Sequence, residues 1–339
     1  MKTGGVIVTV WSSAMLMLLA SFGKPECSHM EWGFFGHRQI NRLAVFCLPP
    51  EMFGFYKSNI DFITDHSVDP DKRRMSTVGE AERHYLDADH YCKGIPDCDP
   101  FEILPERWDE AVALLTEDTL RAYGILPWHL WKMQFDLTVA FRDKRIDRVL
   151  RLSAELGHYL GDAHVPLHTT ENYNGQLTNQ HGIHAFWESR VPELFFNEWD
   201  LLTGPAEYLP NPDKTAWEIV KESHHGLDSV LTFERELTLR FPEDRKYSFD
   251  ERGQVIQKLY SREFSRAYME MLNGQQERRM RAAIHRVASF WYTAWVNAGR
   301  PELGPYEQAP TDPKLIREMM DELSRNADPN IKTRQHDNE

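Results

Sequence analysis

The stretch "HYLGDAHVPLHTTENYNGQLTNQHGIHAFWE", residues 158–188, decides how the rest of the chain is read. It contains two pairs of the form His-x3-acid: His158 with Asp162, and His184 with Glu188. Residues four apart on a helix lie on one face, close enough for an imidazole and a carboxylate to grip one ion. Each pair therefore asks for a helix, and each helix becomes half of a candidate metal centre. His168, just past Pro166, adds a further donor between them.

Outward from that stretch, apolar residues recur at three-and-four spacing, with almost no sustained alternation of the strand kind. The pattern predicts helices over 36–48, 101–116, 128–142, 147–163, 184–198, 214–231, 252–271 and 277–298. Pro49 and Pro166 act as stops, and Gly299 with Pro301 closes the last helix. In that last helix Phe290, Trp291, Tyr292 and Trp295 crowd together, which reads as core packing. The expectation is an all-α, single-domain multi-helix bundle with functional loops between helices.

The ends read differently. Lys2 followed by the apolar run 6–20 has the form of an export signal over 1–23, too short for a membrane span. The mature protein is expected to be secreted or periplasmic. No linker divides residues 24–300, which are taken as one domain. Beyond Pro301 the chain turns proline-spaced and charged, predicting a helical appendage within 301–339, over 313–325, and a frayed, disordered tail. Cys92 and Cys98 flank a turn signal and, in an exported protein, predict a small disulfide loop. Cys47 reads as a buried thiol, and Cys27 has no assignment.

A net charge of −13 argues against holding long nucleic acid on a basic stripe. It leaves short substrates open, because a site with several bound cations is a concentrated positive spot on an acidic body. Further donors stand outside the opening stretch: His37 in "WGFFGH", Asp69 in "VDPDKRR" and His84 in "ERHYLDADHY". His66, His90, His129, His225 and His285 lack a carboxylate four residues on and are read as structural. His224 has Asp228 at that spacing but no third donor nearby, so it joins them; His164 and His181 are left out of the ligand set.

As a set these elements resemble the superfamily of zinc-dependent phospholipases C and the single-strand-specific nucleases of fungi and plants, all-α phosphodiesterases with three zinc ions. The matching residues are Trp32 with His37 five on, Asp69 and His84 separated by fourteen residues, His158-x3-Asp162-x5-His168, and His184-x3-Glu188. They span 32–188 in the family's order; beyond Glu188 only the helical character and the aromatic last helix are similar. The resemblance implies one zinc on Asp69, His84, His158 and Asp162, and a second on His168, His184 and Glu188. It implies a third on His37, the backbone of Trp32 and Asp162 as a bridge. Three dications against three ligand carboxylates would leave a positive surplus that attracts a phosphodiester. One departure stands out. In the family the tryptophan usually begins the mature chain and gives its amine to the third ion, whereas here "KPECSHME" precedes Trp32.

The chemistry so implied is attack on phosphorus by a metal-bound hydroxide, with Asp69 as the catalytic residue that orients or deprotonates the water. The substrate stays open between two branches. Tyr85 and Asp87 match the nuclease branch's base-contacting pair, and Cys92 and Cys98 lie where that branch has a disulfide. Glu188 matches the phospholipase C branch, since the nuclease branch usually has Asp there. The expected partners are therefore single-stranded nucleic acid, a nucleotide or a phospholipid, with a monomeric chain and no stable protein partner. A third reading is a secreted zinc-binding protein in which the metals only brace the fold.

Overall fold

A computed structural model describes residues 33–252, 255–307 and 312–331. Five helices of the main core bury apolar stripes that the sequence marks: α1 (Gly33–Ala44), α2 (Leu126–Arg142), α3 (Ile146–Ala163), α4 (Pro212–His225) and α5 (Gln275–Asn297). α3 is central, packing on α1, α2, α4 and α5, and is buried almost without a break from Val149 onward. Trp291 of α5 stacks on Tyr56 at 5.0 Å between centroids and donates its indole N–H to the Ser153 carbonyl at 3.0 Å. The aromatic crowd of the last helix is thus core, with Phe290 and Trp291 fully buried.

α1 and α3 approach closely because α3 carries glycine at the crossing. A β-carbon on Gly157 would collide with Asn41 Oδ1, and one on Gly161 would stand 2.8 Å from His37 Nδ1. Asn41 in turn donates to the carbonyls of Ala154 at 2.9 Å and Ile63 at 3.2 Å, which fixes α1 across α3.

The all-α expectation holds, with one departure. Two antiparallel strands, β1 (Tyr247–Arg252) and β2 (Val255–Tyr260), pair where the spacing predicted a helix from 252. Tyr247 pairs with Tyr260, and the Tyr260 ring stacks on Phe186 at 3.9 Å, so aromatic packing outweighs local helix preference. The helix starts only at Arg262, capped by the Ser261 hydroxyl, which accepts from the Phe264 N–H at 3.1 Å. Elsewhere Pro105 splits the helix predicted over 101–116 into Pro100–Ile103 and Trp108–Leu115. Gly226 likewise separates α4 from Leu227–Arg240. The short helices Pro50–Ser58, Ile60–Asp65 and Glu117–Tyr123 carry too few turns for periodicity to mark them.

The Cys92–Cys98 disulfide is formed, and Cys47 is a free buried thiol. The expected signal segment, Cys27 and Trp32 lie outside the described residues. No described helix is long and apolar enough to cross a membrane. The C-terminal helix Pro313–Leu323 is folded against the body: Leu315 and Met319 are buried and Glu322 pairs with Arg151 at 2.6 Å.

Candidate metal centre

His158 and Asp162 stand one turn apart on α3, and both are buried. His37 reaches them from α1 across the Gly157–Gly161 crossing. His84 comes from the loop after the turn Ala81–Arg83, and His168 from the short turn Pro166–Thr169. His184 and Glu188 come from a run of helical turns in which Phe186–Arg190 is π-wound. A single wide turn of this kind shifts where the following side chain points, and such turns gather at functional sites.

These side chains converge. Three sets of donor atoms each lie within 4.8 Å of one another: Asp71, His84 and His158; His37, His158 and Asp162; His168, His184 and Glu188. The first set extends to four atoms through Asp162. His84 Nδ1 is 3.1 Å from His158 Nε2 and 3.0 Å from Asp162 Oδ2, and His158 Nε2 is 3.3 Å from that same oxygen. Asp71 Oδ1 is 3.6 Å from each of the two nitrogens. Four ligands placed tetrahedrally about 2.0–2.1 Å from a zinc ion would stand about 3.3–3.4 Å apart, close to these spacings. Hydrogen bonding alone does not explain them, since each ring nitrogen carries at most one hydrogen and serves at most one of these contacts well. The donor set fits a metal ion.

Asp162 and Glu188 each face two ways. Asp162 turns Oδ2 to His84 and His158, and Oδ1 to His37 Nε2 at 3.3 Å. Glu188 turns Oε2 to His184 at 2.8 Å and His168 at 3.5 Å, and Oε1 to His37 at 3.7 Å. Carboxylates so placed can bridge neighbouring ions.

No known family model and no characterised protein matches this chain.

Two of the ring donors have outer nitrogens held in a way that aims the inner ones. His168 donates its Nδ1–H to the His84 carbonyl at 2.5 Å, and His184 donates its own to the Tyr173 carbonyl at 3.1 Å. Both leave Nε2 facing the cluster. His84, which presents Nδ1, turns Nε2 toward Glu80 at 3.7 Å. Glu80 belongs to a buried charged chain. Arg73 donates to Glu80 at 2.8 Å and to Glu155 at 2.6 Å, Tyr159 also donates to Glu80, and Arg151 joins Glu155 to Glu322.

Crowded charges shift one another here. Burial opposes ionisation of Asp162 and Glu188, but the facing histidines hold both carboxyls well below their usual range. Burial likewise opposes the charge of His168, yet Asp162 and Glu188 outweigh it and push that imidazole up to about 9. Desolvation and the neighbouring His37 push His158 the other way, to about 4.

Every expected ligand side chain except Asp69 takes part. Asp69 and Asp71 sit two apart in the helical turn Asp69–Arg73, so their side chains leave the axis about 200° apart. Asp71 faces the cluster. Asp69 is turned aside, accepting from His66 at 2.6 Å and Lys72 at 3.0 Å, and these two partners hold its carboxyl below the usual range against the effect of burial. Asp71, and not Asp69, therefore stands with His84 and His158 in the donor cluster, and Glu80, near His84, is a second residue that the sequence reading did not single out. Tyr85, half-buried, and Asp87, buried, stand on the loop after His84, whose Leu86 N–H donates to the His168 carbonyl at 2.9 Å. Tyr91, Tyr123 and His90 pack beside that loop, the last two stacked at 3.2 Å. His164 and His224 donate to backbone carbonyls of Leu160 and Thr169, outside the cluster.

Proposed function

We propose that this protein is a zinc-dependent phosphodiester hydrolase of the phospholipase C and single-strand nuclease type, exported from the cell and acting on single-stranded nucleic acid or on nucleoside 3′-phosphates. The observation that carries the reading is the adjoining of three donor sets through Asp162 and Glu188. A metal that only braces a fold needs one closed site of four ligands, not a shared group with carboxylates as bridges. His84, His158, Asp71 and Asp162 would hold one ion, and His168, His184 and Glu188 a second. His37 with Asp162 would serve a third.

Bound zinc would supply positive charge to the phosphoryl oxygens and lower the pKa of a nearby water toward about 7. The chain's own residues do the rest. Asp162 and His158 form the buried floor, whereas the Asp71 and Glu188 side chains keep 14 % exposure each, which marks the open side. In this reading Asp71 orients the attacking water and takes its proton, in place of Asp69. Half-buried aromatic rings on the loop after His84, Tyr85 and Tyr91, are the kind of side chain on which a base can stack, which favours nucleic acid over lipid as substrate.

Metal content of the purified protein, measured with hydrolysis of single-stranded oligonucleotides, nucleoside 3′-phosphates and phosphatidylcholine with and without chelator, tests the reading. Chelator-sensitive release from the first two is expected. Release from phosphatidylcholine alone would replace the nuclease with a phospholipase. Bound zinc with no turnover of any of the three would leave a non-catalytic metal protein.

A further inference from the structure

Behind the cluster, where α1, α3 and α5 meet, lies a cavity of about 40 Å³. His37 and Glu188 line it on the cluster side, and His164, Gln276 and Arg279 line it on the other. Among the described residues, His37 Nδ1, His164 Nε2 and both polar atoms of the Gln276 amide have no hydrogen-bond partner. All three side chains are buried, Gln276 at 2 % exposure. Arg279 makes no hydrogen bond to them; four of its five N–H groups go to the His164 and Ile219 carbonyls, the Ser223 hydroxyl and Glu222. Buried polar atoms left bare cost about 1–3 kcal/mol each, so something must meet them. A water needs roughly 10–15 Å³ of such space, so the cavity suits about three waters and is too small for a substrate.

Two of the other ring donors show one way of holding such a ring, whereas the outer nitrogens of His37, His84 and His158 have no hydrogen-bond partner among the described residues, and of these three only His37 lines the cavity. His168 and His184 each give Nδ1–H to a backbone carbonyl, which fixes the tautomer and aims Nε2. Among the described residues no carbonyl serves His37, whose Nδ1 lies over the bare face of Gly161 in the cavity wall. We propose that about three ordered waters fill this cavity and join Gln276 to His37 Nδ1, making Gln276 a positioning residue that holds Nε2 of His37 toward Asp162 and Glu188. This inference rests on the metal-centre reading above for its purpose, but not for the presence of the waters.

The test combines a high-resolution crystal structure of the wild-type protein with zinc titrations of the wild type, Gln276→Leu and Gln276→Glu. Expected are water density linking Gln276 to His37, and a loss of about 10–100-fold in affinity for one ion in Gln276→Leu. The remaining ions and the circular dichroism spectrum should be unchanged. Gln276→Glu, which keeps an acceptor oxygen, should recover that affinity. A dry cavity, a cavity filled by the chain's own side chains, or a Gln276→Leu titration that overlays the wild type would overturn the proposal. If Gln276→Leu does not fold, the wild-type density alone decides. A wild-type chain that takes up no metal would fail the hydrolase reading in the first titration, before any variant is made, and would end the positioning role even if the waters are seen.

Discussion

Asp69 and Asp71 are one methylene-identical pair with opposite fates, and the reason is purely angular. Two positions apart on a helical turn, only one carboxylate can face α3. Asp71→Asn should therefore lower zinc affinity by more than the roughly 10–100-fold typical of losing an outer partner, because it removes a donor directly. Asp69→Asn should keep the full metal count and instead cost about 1–3 kcal/mol of stability, the usual worth of charge-assisted hydrogen bonds such as those to His66 and Lys72. Metal analysis and thermal melts on both variants separate the roles; equal loss of metal in the two would sink the assignment. His168 gives a pH prediction for the metal-free chain. Its folded pKa of about 9 lies above the ordinary 6.5, so the stabilisation is complete below about 6.5 and is lost as pH rises through about 9. His158, pushed down to about 4, is neutral in the folded chain and loses its unfolded-state proton as pH rises through about 6.5, so it opposes the trend only at the lower edge of that window. Melting temperature in chelator should fall between about pH 6.5 and 9.5. With zinc present that decline should shrink or reverse, since the ion takes the place of the protons. A flat chelator profile would contradict the electrostatic picture of His168.

At the scale of elements, the site depends on two helices being closer than ordinary side chains permit. Gly157 and Gly161 immediately precede His158 and Asp162 on α3, so the residues of the candidate metal centre alternate with the residues that let α1 in. Gly157→Ala must displace Asn41, which ties α1 to Ala154 and Ile63. The expected cost is about 1–3 kcal/mol of overpacking, with weaker metal binding at His37 as α1 moves away. An alanine variant with wild-type melting and metal affinity would show that the crossing has slack. The same elements explain what could be read from sequence. His158 with Asp162 and His184 with Glu188 were legible because a local spacing of four is enough to bring each pair together. The choice of Asp71 over Asp69 was not, because both lie in "VDPDK" and only the packing of that turn on α3 selects between them. Nor was the strand pair, since the strand at 255–260 has no clean alternation and is set by Tyr260 stacking on Phe186, far away in sequence. Glu80 escaped for a similar reason: its link to His84 is a matter of tertiary approach.

For the molecule as a whole, the candidate metal centre is tied to the C-terminal end of the described chain by a run of paired charges. From His84 the chain runs through Glu80, Arg73, Glu155 and Arg151 to Glu322 on the last described helix. That helix, Pro313–Leu323, packs on the turn Asp69–Arg73, which presents both Asp71 and Arg73. The sequence suggested an appendage, yet its apolar face is used: Leu315 and Met319 are each at most 5 % exposed. Burial of such a side chain contributes about 1.5–3 kcal/mol, whereas the half-exposed Arg151–Glu322 pair contributes about 1 kcal/mol or less. Ending the chain before Pro313 should therefore destabilise it by about 3 kcal/mol or more, and Glu322→Gln by far less. Because the lost helix also backs the turn that carries Asp71, truncation should weaken the ion held with His84 and His158 more than the one on His168, His184 and Glu188. Stepwise zinc titration of the truncated and full-length chains reads this difference directly. Equal weakening of all ions would mean that the C-terminal helix stabilises the body generally, without any particular hold on the Asp71 side of the centre.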